Sequence, residues 1–263
     1  MGKYLMNSLW YGEKPDLPIS AIEDGISKAT TETEVLYKLI DLFKAGNFVQ
    51  KPLLVQLMNR TKDEVVLNLC VRVFFSIATH SDLRDSNTFR FLSDATEETI
   101  NTFSSSATES LSLEVVPYLL ALLEDWEEVS ESSLIIKDSI NFFVGFREQI
   151  GEDATLNEIG DFYIQHCKNK DMKKYYFEQE PVFPGNLTKE LIERVMIAAN
   201  NAELLKMEVI PSLLSIWSGE EAPGRYNTLI DKNNYKDFIA YVDKLSNMDW
   251  EKGQKYFYGH KLL

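Results

Sequence analysis

Apolar side chains recur along this chain at helical spacing, and strand-like alternation of useful length is absent. From Thr31 to Ala45 the residues Val35, Leu36, Leu39, Ile40, Leu42 and Phe43 form one stripe, which runs out at Gly46. A glycine there suits a helix that closes on a left-handed residue. Residues 63–79, 112–126, 130–146, 156–168, 188–200, 203–217, 235–246 and 249–257 carry the same amphipathic spacing. Start signals accompany several of these runs. Ser20 with Glu23, Thr31 with Glu34 and Thr61 with Glu64 each set a hydroxyl three residues before a carboxylate, so that two orphan backbone donors can be satisfied reciprocally. The pattern predicts an all-α fold with no significant β-sheet.

An internal echo suggests how the helices are arranged. Pro52-Leu53-Leu54-Val55-Gln56-Leu57-Met58, Pro117-Tyr118-Leu119-Leu120-Ala121-Leu122-Leu123 and Pro211-Ser212-Leu213-Leu214-Ser215-Ile216-Trp217 share one pattern. The last two extend it backwards, as Glu114-Val115-Val116 and Glu208-Val209-Ile210. A proline early in one helix of each pair recurs in HEAT-like solenoids, so the expectation is an irregular α-α superhelix of helical pairs. Turn chemistry marks loops at residues 11–20, 180–186 and 219–234. We read residues 1–263 as a single helical domain, with the best candidate for a lobe boundary near residues 180–187.

Charge adds a functional hint. The chain carries 41 acidic and 27 basic residues, a formal net charge of −14. That balance argues against sequence-independent binding to nucleic acid or anionic membrane, and favours capture of a cationic protein. No basic residue lies between Arg90 and Lys137, an interval that holds Asp94, Glu97, Glu98, Glu109, Glu114, Glu124, Asp125, Glu127, Glu128 and Glu131. Because the same interval is rich in helical apolar residues, it reads as a folded acidic face rather than a disordered tail. Trp126, set among Glu124, Asp125, Glu127 and Glu128, could anchor a partner or simply pack inward with Leu122 and Leu123. The basic-aromatic stretch at residues 168–177 is expected to be a solvated face or a partner for the chain's own acids.

Catalytic signatures are missing. There is no Gly-x-Ser-x-Gly elbow, no His-Glu-x-x-His, no paired Cys-x-x-Cys, no EF-hand loop and no phosphate loop. His166 and Cys167 are neighbours, but adjacent helical residues point about 100° apart. His80 is expected to act as a cation near a helix C-terminus. Cys70 and Cys167 are expected to be reduced thiols. The first residues, Met1-Gly2-Lys3-Tyr4-Leu5-Met6, lack a secretory h-region, and Met6 stands where a myristoylation motif wants Ser or Thr. The expectation is a cytoplasmic protein that is not an enzyme, with no metal and no cofactor.

The opening Asn7-Ser8-Leu9-Trp10-Tyr11-Gly12-Glu13-Lys14-Pro15, the Pro-Leu-Leu helices and the acidic balance together resemble the all-helical, HEAT-like immunity proteins of bacterial polymorphic-toxin and contact-dependent growth-inhibition systems. The resemblance implies a protein that binds a cognate toxin domain and occludes its active site or another functional surface. No binding residues transfer from it. Charge and aromatic placement instead nominate Glu124, Asp125, Trp126, Glu127 and Glu128, with Glu97, Glu98 and Glu131 as rim; a toxin that met such a face would be basic. The alternative is a HEAT-like interaction scaffold or adaptor with no toxin partner. Nothing in the sequence sets the oligomeric state.

Overall fold

The computed structural model of the protein describes residues 10–207 and 209–263. Met1–Leu9 and Glu208, and with them part of the opening motif, the signal and myristoylation expectations and one residue of the third proline echo, lie outside the described residues. Among the described residues the fold is all-α, with two β-hairpins of two residues per strand.

Eight helices build the first half: α1 (Ile19–Lys28), α2 (Glu32–Lys44), α3 (Lys51–Met58), α4 (Glu64–Ile77), the short α5 (His80–Arg84), α6 (Glu97–Ala107), α7 (Val116–Trp126) and α8 (Ser130–Val144). Helices α2, α4, α6 and α8 pack side by side in one row, and α1, α3 and α7 lie against it. The row is laced along one edge. Glu32 accepts from the Thr61 hydroxyl at 2.5 Å, Glu64 from the Thr96 hydroxyl, and Glu97 from the Ser132 hydroxyl at 3.4 Å. In each case a first-turn glutamate reaches the chain entering the next helix of the row, so all four helices run in the same direction. Between them Phe74, Phe75, Phe89 and Phe103 interlock edge-on at ring separations of 5.0–5.8 Å, with Tyr118 against Phe89. Such offset and T-shaped pairs favour the aromatic quadrupole beyond the area they bury.

Local chemistry explains the helix ends, with two corrections to the sequence reading. Thr31 caps α2 by accepting from Glu34 N at 3.2 Å, and Gly46 follows at φ +84° while Asn47 N donates back to Leu42 O at 3.1 Å. A Cβ on Gly46 would also lie 2.6 Å from the His260 ring, so this position is closed to side chains twice over. The cap of α4 is Asp63, not Thr61: its carboxylate accepts from Val65 N and Val66 N, and the Thr61 hydroxyl is engaged by Glu32 instead. Ser20 lies inside α1, whose cap position is Pro18. The proline echoes do mark first turns, with Pro52, Pro117 and Pro211 opening α3, α7 and α12 (Ile210–Ser218), where a missing N–H costs nothing.

The second half holds the largest departure. After α9 (Arg147–Ile150) and α10 (Leu156–Lys168), β1 (Tyr176–Phe177) pairs antiparallel with β2 (Glu180–Pro181) and leads into α11 (Pro184–Asn201). After α12 and α13 (Tyr235–Ser246), β3 (Tyr256–Phe257) pairs with β4 (His260–Lys261). The run at 249–257 is therefore not a helix but the approach to a hairpin, broken by Gly253 at φ +79°. The run at 203–217 is also shorter than its apolar pattern, because Ala202 at φ +52° ends α11 and Leu204 bridges to Leu229 before α12 begins.

The two hairpins are built alike. The Tyr176 hydroxyl accepts from Asp171 N and the Tyr256 hydroxyl from Glu251 N, both at 2.9 Å. Val182 N closes on Tyr175 O and Leu262 N on Lys255 O, both at 3.0 Å. Each turn holds two successive positive-φ residues, Glu178 and Gln179 in one, Tyr258 and Gly259 in the other, as a two-residue hairpin requires. The hairpins also touch, through Tyr175 N to Gly253 O at 3.0 Å and Gly253 N to Val182 O at 2.6 Å.

Candidate protein-binding face

Helix α7 is apolar through Leu122 and Leu123, which are buried, and ends on Glu124, Asp125 and Trp126. Glu127 and Glu128 form the corner, with Val129 N donating back to Trp126 O at 3.1 Å, and Glu131 lies in the first turn of α8. Glu97 and Glu98 lie in the first turn of α6, and the Glu97–Ser132 bond holds that turn against the start of α8. The nominated acids thus come from three helices that meet at one end of the bundle. Glu97, Glu98, Glu124, Asp125, Glu127, Glu128 and Glu131 are all exposed, and among the described residues none is in an ion pair. Trp126 is half-buried and packs against the core, in keeping with the inward packing that its sequence context allowed.

These acids do not stand in equal relation to the fold. Glu97, Glu98 and Glu131 sit at helix N-termini, where the positive end of the helix dipole stabilises a carboxylate. Glu124 and Asp125 sit in the last turn of α7, where the unsatisfied carbonyls already concentrate negative charge, and that turn has no basic residue. Folding alone gives a reason for the first group and none for the second.

Of the remaining acids of the interval, Asp94 is also exposed and in no ion pair among the described residues, whereas Glu114 and Glu109 meet partners from elsewhere in the chain. Glu114 pairs with Arg84 at 2.5 Å. Glu109 is buried and accepts from the Ser76 hydroxyl at 2.5 Å, which in turn meets the Tyr11 hydroxyl at 3.0 Å. Burial pushes the Glu109 carboxyl up to about 7, with Ser76, Lys255 and Arg72 pulling the other way. No signal in the chain distinguishes Glu109 from its neighbours, because its partners arrive from α4 and from the C-terminal hairpin.

His80 is also placed differently from its expected role. It opens α5 rather than closing α4, stacks on Tyr175 at 4.1 Å and shares a 2.7 Å hydrogen bond with the Ser112 hydroxyl. Burial lowers its pKa, which disfavours the cation that the sequence suggested. Ser112 has no solvent exposure, so this contact offers no open nucleophile. Burial raises the thiol pKa of both Cys167 and Cys70, Cys70 to about 12, the opposite of what an activated thiolate needs.

A family model described as Immunity protein 47 matches residues 5–262, nearly the whole chain. The chain belongs to the Immunity protein 47 family. No curated protein and no solved structure matches it. As a member of an immunity protein family it serves immunity, and membership implies a toxin as partner. Among the described residues, no helix of this Immunity protein 47 member is long and apolar enough to cross a membrane, and no group of three or more His, Cys, Asp and Glu could hold a metal ion.

Proposed function

We propose that this protein neutralises a cognate bacterial toxin domain by direct binding, in the cytoplasm of the cell it protects, and that the acidic corner between α7 and α8 is the centre of the contact. One observation carries this reading: Glu124 and Asp125 add negative charge to the C-terminal end of α7, a position that destabilises the free protein and that a cationic partner would relieve. Glu127, Glu128 and Glu131 continue the same field across the corner, and Glu97 and Glu98 form its rim. Such a field speeds encounter with a basic surface, while residence time depends on a few desolvated anchors. Trp126 is the anchor, since its ring is already held by the core and loses little freedom on binding. Blocking follows by occlusion: a basic groove filled by the corner is closed to its substrate.

The test is co-expression with the toxin domain encoded beside this gene, scored by survival, together with association kinetics of the purified pair. Reversal of Glu124, Asp125, Glu127 and Glu128 to lysine is expected to slow association at least tenfold, to remove its salt sensitivity and to abolish rescue. Rescue by a quadruple variant with unchanged association would place the contact elsewhere. A protein that never rescues, and instead binds other cellular proteins, would favour a scaffold.

A further inference from the structure

The C-terminal hairpin is too small to hold itself. Two residues per strand supply few ladder bonds, and isolated hairpins are marginal in water at best. Its order is borrowed from anchors on the body. The most deeply set is Lys255, which has no solvent exposure: its Nζ donates to Phe75 O at 2.5 Å and to Ala78 O at 3.2 Å, carbonyls at the C-terminal end of α4. Tyr258 N donates to Ile216 O at 2.8 Å and Gly259 N to Trp217 O at 2.6 Å. The same hairpin holds one side of the segment at residues 10–14, whose other side is held by Lys44 Nζ, donating to Tyr11 O and to Glu13 O, and by the Tyr11–Ser76 contact. Tyr258 OH donates to Gly12 O at 2.7 Å, Trp10 stacks on the Tyr258 ring at 5.5 Å, and Tyr11 packs on Phe257 at 5.9 Å.

We propose that the C-terminal hairpin and residues 10–14 form one strap, bolted by Lys255, that opens and closes as a unit while the helical rows stay folded. The equivalent position in the first hairpin is Tyr175, whose ring stacks on His80 and needs no proton. Lys255 differs because opening exposes a group that water strongly prefers charged. The groups facing it are Glu109 after α6, Asp82 and His80 on α5, Lys51 on α3 and the Tyr175 ring at 5.9 Å. Lys51 is itself paired with Asp82 at 2.5 Å. Burial, with some help from Lys51 and against the pull of Glu109 and Asp82, brings Lys255 down to about 7 in the closed strap. In the open strap it returns to the ordinary lysine range near 10.4. Opening is therefore coupled to proton uptake above pH 7, and the strap tightens as pH rises above 7.

Hydrogen exchange on the full chain tests this without any partner. After correction for intrinsic rates, protection of amides in residues 254–262 and 10–14 is expected to rise together by about tenfold from pH 8 to pH 9, above the range in which Glu109 titrates, the slope of nearly one proton. Peptides from α7 and α8 serve as the control and should not share that rise. In Lys255→Met the slope should vanish and both segments should exchange at least tenfold faster. If that variant does not fold, Tyr258→Phe keeps the ring, removes the bond to Gly12, and should speed exchange in both segments while retaining the pH slope. Flat or falling protection in the native chain, or two segments that respond separately, would overturn the strap.

Discussion

Glu109 and Glu124 come from the same uninterrupted acidic stretch, yet one is buried against Ser76 and the other stands in water at the end of α7. Glu109 is dear to remove and of no use to a partner. Glu124 costs the free fold something and is fully presented. The difference shows that charge density along a chain measures neither: what matters is whether the fold supplies each carboxylate with a donor, a cation or a favourable helix end.

The widest separation between the two should appear on substitution. Glu109→Ala removes the carboxylate partner of the Ser76 hydroxyl and the carboxylate whose charge most favours a protonated Lys255. A loss of about 3 kcal/mol is expected, in the range for breaking a buried charged network. Urea unfolding would measure it, and a midpoint unchanged from the native protein would mean that Glu109 is neutral and idle. Lysine at Glu124 should instead leave the midpoint level or slightly higher, while weakening the toxin complex.

The second effect concerns pH. Burial raises Glu109 to about 7 and lowers Lys255 to about 7. Between the ordinary carboxylate range and pH 7 the folded state binds the Glu109 proton and the unfolded state does not, so stability falls as pH rises. Between pH 7 and the ordinary lysine range the unfolded state binds the Lys255 proton and the folded state does not, so stability rises. The native protein should thus show a dip near pH 7 that the Glu109→Gln, Lys255→Met pair removes. A difference curve between the two proteins that is flat from pH 5 to pH 9 would defeat this reading. Acids at the corner should leave the dip intact when changed to glutamine.

How much of this is legible beforehand follows from the same contrast. Helices α2, α7, α8 and α10 can be read because their apolar stripes are long and an end of each carries Thr, Pro or Gly with a local job, and α4 and α13 by their stripes alone. The corner acids can be read because exposure follows from the polar side of those stripes. Lys255 and Glu109 cannot, since each is explained only by partners that arrive from distant parts of the chain. The hairpins fall between. Tyr256 and Phe257 lie in a two-residue strand, too short for any alternation to show, and with Trp250 they imitate a helical stripe. Their signal was a different one: Lys174-Tyr175-Tyr176-Phe177 is matched by Gln254-Lys255-Tyr256-Phe257, each following an acid, Asp171 or Glu251. The basic-aromatic stretch at residues 168–177 is accordingly part of a structural module, with Tyr175, Tyr176 and Phe177 buried.

The smallest effect is the sharpest test of the corner, because it compares acids that a partner would see as alike. Glu97 and Glu124 are both exposed carboxylates on one face, but Glu97 sits in the first turn of α6 and Glu124 in the last turn of α7. Removing a carboxylate from a helix N-terminus costs stability, and removing one from a C-terminus restores it, by about 0.3–1 kcal/mol at low ionic strength. Glu97→Gln should therefore lower the unfolding midpoint and Glu124→Gln should raise it, with both shifts shrinking in high salt. If the two substitutions moved stability in the same direction, α7 would tolerate its terminal acids for some local reason, and the claim that Glu124 is kept for a cationic partner would lose its physical ground. Opposite signs, with both variants binding the toxin more weakly, would mean that the corner gives up fold stability at one helix end to gain a field that the other helix ends supply at no cost.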